Sequence, residues 1–212
     1  MTQKTIVHLL RHGEVHNPLG VLYGRLPDYH LSENGVLMAK AATKWFSGRD
    51  VTALFSSPME RAQETAAPLA EAFGLEVSIV EGLIEAANRF EGMRFGQGEA
   101  SLKNPATWPL LRNPFRPSWG EPYDELARRM LAAAATARDA ARGHEAVCVS
   151  HQLPIWIARR AAERKRLWHN PSHRQCGLAS VTSLVYEGDE IVRVDYAEPA
   201  AALISGPVVP GA

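Results

Sequence analysis

The sequence predicts an α/β sandwich of three layers, with a mostly parallel central sheet and helices on both faces. Three observations carry that expectation. Short β-branched and apolar runs alternate along the chain with stretches whose apolar positions recur at helical spacing, the pattern of a sheet wound with crossover helices. Two of the runs end in a histidine: Ile6 to Leu10 leads into Arg11 and His12, and Glu145 to Ser150 leads into His151. A third, Val51 to Phe55, feeds a helix that bears Arg61. In an open α/β sheet ligands bind at the carboxyl ends of the strands, so these three side chains are expected on one edge.

The elements follow in order. Ile6 to Leu10 is too short for a helix and reads as the first strand, with Gly13 expected to turn the backbone sharply just after it. The loop from Val15 to Pro27 is rich in turn residues and is expected to line the site. Ser32, Glu33 and Gly35 open a helix over Val36 to Phe46, in which Leu37, Ala41, Trp45 and Phe46 share a face. After the strand Val51 to Phe55, Ser56-Ser57-Pro58 is read as the start of the next helix, which Gly74 stops near Phe73. Glu76 to Val80 is a third strand. An alanine-rich helix is expected from about Pro122 to Arg142, then the strand Glu145 to Ser150 and a helix from Pro154 to Ala162. Val181 to Tyr186 and Ile191 to Tyr196 make a hairpin across Glu187-Gly188-Asp189-Glu190.

Composition excludes several functions. The 212 residues carry 23 Lys and Arg against 23 Asp and Glu, so no net field favours nucleic acid or an anionic membrane, and any anion site must be local. No apolar stretch reaches the roughly 18 residues of a spanning helix, and the N-terminus lacks a signal-peptide pattern, which together read as cytoplasmic. Cys148 and Cys176 lack metal-ligand spacing and are expected to be reduced, structural thiols.

At the first strand's end, an arginine beside a histidine offers an anion clamp next to an imidazole able to act as nucleophile or base. Those residues alone are equally a surface pair. The wider set, Arg11-His12-Gly13-Glu14 with Asn17, Leu31-Ser32-Glu33-Asn34-Gly35, Ser56 to Thr65 and Val149-Ser150-His151, resembles the histidine phosphatase superfamily, the phosphoglycerate mutase-like group, in ordered matches over most of the chain. The resemblance implies that His12 takes the phosphoryl group and that Arg11, Arg61 and His151 hold its oxygens, with Asn17 adding a neutral hydrogen bond. This agrees with the bare chemistry, because phosphoryl transfer spreads charge over three oxygens and needs positioned cations. It further implies a general acid, for which Glu85 in Leu83-Ile84-Glu85 is chosen over Glu81 and Glu91.

The implied function is a cofactor-independent, histidine acid phosphatase-like enzyme that hydrolyses a small phosphomonoester through a phosphohistidine, with no metal. Phosphoglycerate mutase-type transfer and a non-catalytic phosphate-binding or interaction module stand as alternatives. Valine at position 15, where mutases have a hydroxyl residue, favours hydrolysis. The chain also departs from the family by having two residues, not three, between Glu14 and Asn17, and by having Gln152 where a glycine usually follows the late histidine.

Residues 1–198 are expected to form one domain with an insertion at about 92–120 that caps the pocket. Its Trp108, Phe115 and Trp119 would cover substrate while Arg94, Arg112 and Arg116 read a second anionic group. Residues 199–212 read as a mobile tail. His16, His30, His169 and His173 match no motif position and are assigned to loops or surface. The exposed sheet edge is open either to solvent or to the second subunit of a homodimer.

Overall fold

The computed structural model of the chain describes residues 3–94 and 120–204. Most of the expected cap, with Trp108, Phe115, Trp119, Arg112 and Arg116, lies outside the described residues.

The elements run β1 (Lys4–Arg11), α1 (Glu33–Phe46), β2 (Val51–Ser56), α2 (Glu60–Phe73), β3 (Val77–Ile79), α3 (Tyr123–Ala140), β4 (Glu145–Ser150), α4 (Gln152–Ala162), β5 (Val181–Glu187) and β6 (Glu190–Ala197). They build a sheet in the order β3-β2-β4-β1-β5-β6. The pairings among β3, β2, β4 and β1 are parallel, and β5 and β6 join antiparallel as the expected hairpin.

Alternation along the strands divides the core in two. Val7 and Leu9 of β1 with Ala146 and Cys148 of β4 face one way, onto Leu126, Met130 and Ala134 of α3 and Ile155 of α4. Leu10 of β1 with Val147 and Val149 of β4 faces the other, onto Met38 and Phe46 of α1 and Ala62 and Leu69 of α2. The sheet is therefore covered on both sides, which is the three-layer sandwich. Small side chains at Ala133, Ala134 and Ala137 present a buried, low-profile stripe of α3 to the sheet. None of the helices among the described residues is long and apolar enough to cross a membrane.

Several boundaries differ from the sequence reading. Helix α1 starts at Glu33, with the Ser32 side chain accepting from the Gly35 amide, so the capping serine is placed correctly but the helix begins three residues earlier. Helix α2 starts only at Glu60 and has no side-chain cap, because the Ser57 hydroxyl is engaged elsewhere. Helix α4 begins directly after His151, at Gln152 instead of Pro154, with Pro154 in its first turn where a missing N–H costs nothing. Residues 199–204 of the expected mobile tail are packed on the core. Ala200 is buried, Leu203 and Ile204 pack on the α1 side of the core, and the Leu203 carbonyl accepts from Asn34 at 3.1 Å. Residues 205–212 lie outside the described residues.

Candidate active site

The strand order brings the two histidines together. Strands β1 and β4 are parallel neighbours with Arg11 opposite Ser150, so the next residue of each, His12 and His151, leaves the sheet at the same place. The His12 amide donates to the Ser150 carbonyl at 3.1 Å, and the two imidazole centroids are 5.2 Å apart. Strand β2 flanks β4 on its other side, and the following turn and α2 carry Ser57 and the fully buried Arg61 to the same edge. All of Arg11, His12, Arg61 and His151 are buried.

Gly13 works differently from the expected sharp turn. Its backbone needs no positive φ; a Cβ there would meet the Gly35 carbonyl oxygen at 2.5 Å, and a Cβ on Gly35 would collide with the Glu14 carbonyl. Two glycines thus let the start of α1 press against the chain just after His12. Glu14 ties this junction, accepting from Ser32 Oγ at 2.6 Å and Asn34 Nδ2 at 3.1 Å.

Hydrogen bonding sets the protonation of both imidazoles. His12 Nδ1 is 2.8 Å from the Gly13 carbonyl, which can only accept, so Nδ1 carries the proton and Nε2 keeps its lone pair. Burial, then the charges of Arg61 and Arg11, hold the His12 imidazole well below the usual histidine range, so it is neutral. His151 is held down likewise, by burial first and then by Arg61 and His12. Its Nε2 lies 2.7 Å from Ser57 Oγ, which also accepts from the Met59 amide at 3.3 Å. With Ser57 donating to Nε2, the proton of His151 resides on Nδ1.

Arg61 donates through Nη2 to the Gly24 carbonyl at 2.6 Å and lies 4.8 Å over the Tyr23 ring. Its Nε and Nη1, together with His151 Nδ1, are buried with no hydrogen-bond acceptor among the described residues. Buried N–H groups without an acceptor are rare and costly, and here three of them lie beside His12. They are a cradle for an anion. Arg11 donates through Nη1 to the Cys176 carbonyl at 2.8 Å, which holds its guanidinium on the pocket wall.

Of the three candidate acids, Glu85 alone lines the pocket that His12 and Arg11 line, among the described residues. It follows a short 3-10 turn, Glu81–Leu83, and its Oε1 accepts from the Ala86 amide at 2.8 Å. The residue keeps part of its surface open to the pocket, yet the protein packed around its carboxyl strips away water. That burial pushes the carboxyl above the usual carboxylate range, against the pull of the Ala86 amide, Arg61, Arg11 and Arg174. Glu81 is exposed. Glu91 is spent on the Arg25 amide at 3.1 Å and lines a separate depression.

Other expectations are corrected. Asn17 does not reach the pocket: its side chain closes its own loop, donating to the Val21 carbonyl at 2.8 Å and accepting from the Val21 amide at 3.0 Å. Arg94 bridges to Val21 at one described end of the cap segment, and Gly120 bridges to Asn88 at the other. His169 sits in a loop as expected but is buried and not at the surface. Cys148 and Cys176 are both free and buried, and burial pushes the Cys148 thiol up to about 12, which makes it inert. No group of three metal-binding side chains is gathered among the described residues. The loop that bears Tyr23 lines the pocket as expected, and Gln152, noted only as a departure after His151, lines it too; Tyr123 and Arg174 were not named from the sequence, and no spacing announces them.

A family model described as histidine phosphatase superfamily, branch 1, matches residues 7–198. An uncharacterized protein of Mycobacterium tuberculosis, Rv0525, is 54% identical over 95% of this chain and 100% of its own length. The 2,3-bisphosphoglycerate-dependent phosphoglycerate mutase of Thermoplasma acidophilum is 29% identical over 72% of this chain and 74% of its own. The fold is similar to that of the mycobacterial glucosyl-3-phosphoglycerate phosphatase Rv2419c, with a TM-score of 0.70 at 24% identity over 92% of this chain and 96% of that one.

Proposed function

Because the chain belongs to branch 1 of the histidine phosphatase superfamily, we propose that it hydrolyses a small phosphomonoester through a phosphohistidine on His12. The observation that carries this reading is the cradle: Arg61 Nε and Nη1 and His151 Nδ1 lie buried without acceptors beside a neutral imidazole whose Nε2 keeps its lone pair. An imidazole so prepared is a nucleophile, and the surrounding donors match the oxygens of a phosphoryl group.

His12 Nε2 attacks phosphorus in line, the P–O bond to the alcohol breaks, and Glu85 gives its proton to the departing oxygen. The upward push on the Glu85 carboxyl suits that task, since burial favours its protonated form. The Glu85 carboxylate then takes a proton from water, the resulting hydroxide attacks phosphorus, and the N–P bond breaks to release inorganic phosphate. Arg11, Arg61 and His151 hold the phosphoryl oxygens through both steps, so these side chains stabilise the charge that develops. Val15 supports water as acceptor, since it contributes no hydroxyl to hold a second alcohol; it is bridged to Leu31.

Rapid acid-free quenching with labelled phosphomonoester should trap a base-stable, acid-labile phosphoenzyme, and His12→Ala should abolish it. A His12→Ala protein that kept turnover would defeat the proposal. Isomerisation of a phosphoglycerate without phosphate release would make the protein a mutase, and absence of any turnover a binding module.

A further inference from the structure

One cation in the pocket wall has no task in this chemistry. Arg174 stands in the loop between α4 and β5 and lines the same pocket as His12, Arg11 and Glu85. Its Nε donates to His169 Nε2 at 2.9 Å. His169 Nδ1 in turn lies 2.8 Å from the Leu167 carbonyl, so Nδ1 carries the proton and Nε2 presents a lone pair to the arginine. Burial holds this imidazole down at about 4, which makes it a neutral acceptor and not a second charge. The ring is packed between Tyr123, 5.5 Å away, and Trp156, 5.9 Å away. The guanidinium is therefore fixed through its Nε edge.

Its other end is held loosely. Nη1 lies a long 3.5 Å from Gln152 Oε1, and among the described residues no carboxylate forms an ion pair with Arg174. Burial works against the charged guanidinium, and Tyr123 and Glu85 favour it only through space. A guanidinium without a counter-charge is costly to bury, and one anchored by its Nε edge with a loosely held Nη end is shaped to receive an anion. The position says which part of the substrate that anion belongs to. Arg61 and Arg11 act on the His12 imidazole and His151 lies beside it, while Arg174 acts on Glu85, the acid proposed to meet the departing alcohol, and lies against Gln152.

We infer that Arg174, positioned by His169, binds a carboxylate on the alcohol half of the phosphomonoester substrate. The inference rests on the reading of the His12 end as the phosphoryl subsite. A carboxylate fits better than a second phosphate, because two N–H groups at the arginine's end match two oxygens and its one negative charge matches the one guanidinium, whereas a phosphate would bring about two negative charges.

The test is equilibrium binding by calorimetry to the His12→Ala protein, which cannot turn ligand over. The ligands are 3-phosphoglycerate, glycerol 3-phosphate, which replaces the carboxylate by a hydroxymethyl group, and propane-1,3-diol bisphosphate. The expected result is a preference for 3-phosphoglycerate over glycerol 3-phosphate that falls about ten- to hundredfold when Arg174→Gln is added, as for loss of a charge-assisted pair. His169→Phe should lower the preference as well, and His169→Gln, which retains an acceptor for the arginine, should restore it. If Arg174→Gln melts early, Arg174→Lys reads the same ratio, since an ammonium keeps the charge but not the two-point grip. Equal affinity for the two three-carbon monophosphates, a preference indifferent to Arg174, or an Arg174 effect larger for the bisphosphate than for the carboxylate would overturn the inference. Failure of the wild-type protein to release phosphate from any ester would overturn the hydrolase reading instead and leave this ratio standing.

Discussion

Lowering the pH from 7.0 to 5.5 is expected to destabilise this fold, because the core around the site holds its histidines neutral. His12 and His151 are held well below the ordinary value of 6.5 and His169 at about 4, in each case chiefly by burial. A group whose folded pKa is depressed leaves the unfolded chain binding more protons. Its contribution is therefore fully present above the unfolded value and is lost as the pH falls below it toward the folded one. Between pH 7.0 and 5.5, an imidazole that stays neutral in the native state and has a normal pKa when unfolded costs about 1.3 kcal/mol. His169, held at about 4, accounts for that amount by itself, and His12 and His151 add to it in the same direction. His8, buried against Ser183 and Glu145 and also lowered, adds in the same direction. Glu85 and the exposed His30, both raised, act in the opposite direction and reduce the total.

For a chain of this size each kcal/mol moves the melting temperature by about 2–4 °C, so His169 by itself lowers it by about 3–5 °C, and His12 and His151 deepen the fall. Differential scanning calorimetry in phosphate-free buffer at the two pH values measures it. His169→Gln should remove about 1.3 kcal/mol of the pH dependence and His151→Gln should reduce it as well, whatever they do to stability at pH 7.0. A melting temperature that is the same at both pH values would refute the reasoning, because it would mean that these imidazoles protonate in the folded protein as freely as in the unfolded one.

Two further outcomes follow from the site. Glu85→Gln should slow hydrolysis of alkyl phosphates at least about tenfold more than that of p-nitrophenyl phosphate, whose leaving group needs little protonation; steady-state kcat for the two esters checks it, and equal slowing would remove Glu85 from the acid's role. Gly13→Ala should cost about 1–3 kcal/mol in urea unfolding. It should reduce kcat/KM as well, since its Cβ would meet a backbone oxygen of Gly35 at 2.5 Å and push α1 away from the residue after His12.

What the sequence determined by itself was local or periodic. The alternation of strand and helix patterns, the serine cap on α1 and the hairpin all follow from spacing and turn chemistry over a few residues. The rule that parallel strands share a functional edge was enough to expect His12, His151 and Arg61 together, and β1, β4 and β2 are indeed adjacent in the sheet.

What tertiary structure alone decided were the partners of side chains. Ser57 had every local qualification to cap α2, but its hydroxyl meets His151, 94 residues away, so the helix starts later and the second imidazole is oriented. Asn17 stood at a motif position and closes its own loop instead. Glu81, Glu85 and Glu91 are chemically alike in sequence, and only packing brings one of them to the pocket of His12 while Arg25 and Asn88 occupy another. Arg174 belongs to no motif, and its place in the pocket depends on a buried histidine and on rings from two other helices. A hydrogen bond forms with whichever group lies within about 3 Å in space, and a pKa follows the charges and the water left around a group once the chain has folded. Neither is written in the order of the residues, so the residue types of the site were legible in the chain while their protonation states and partners were set by the fold.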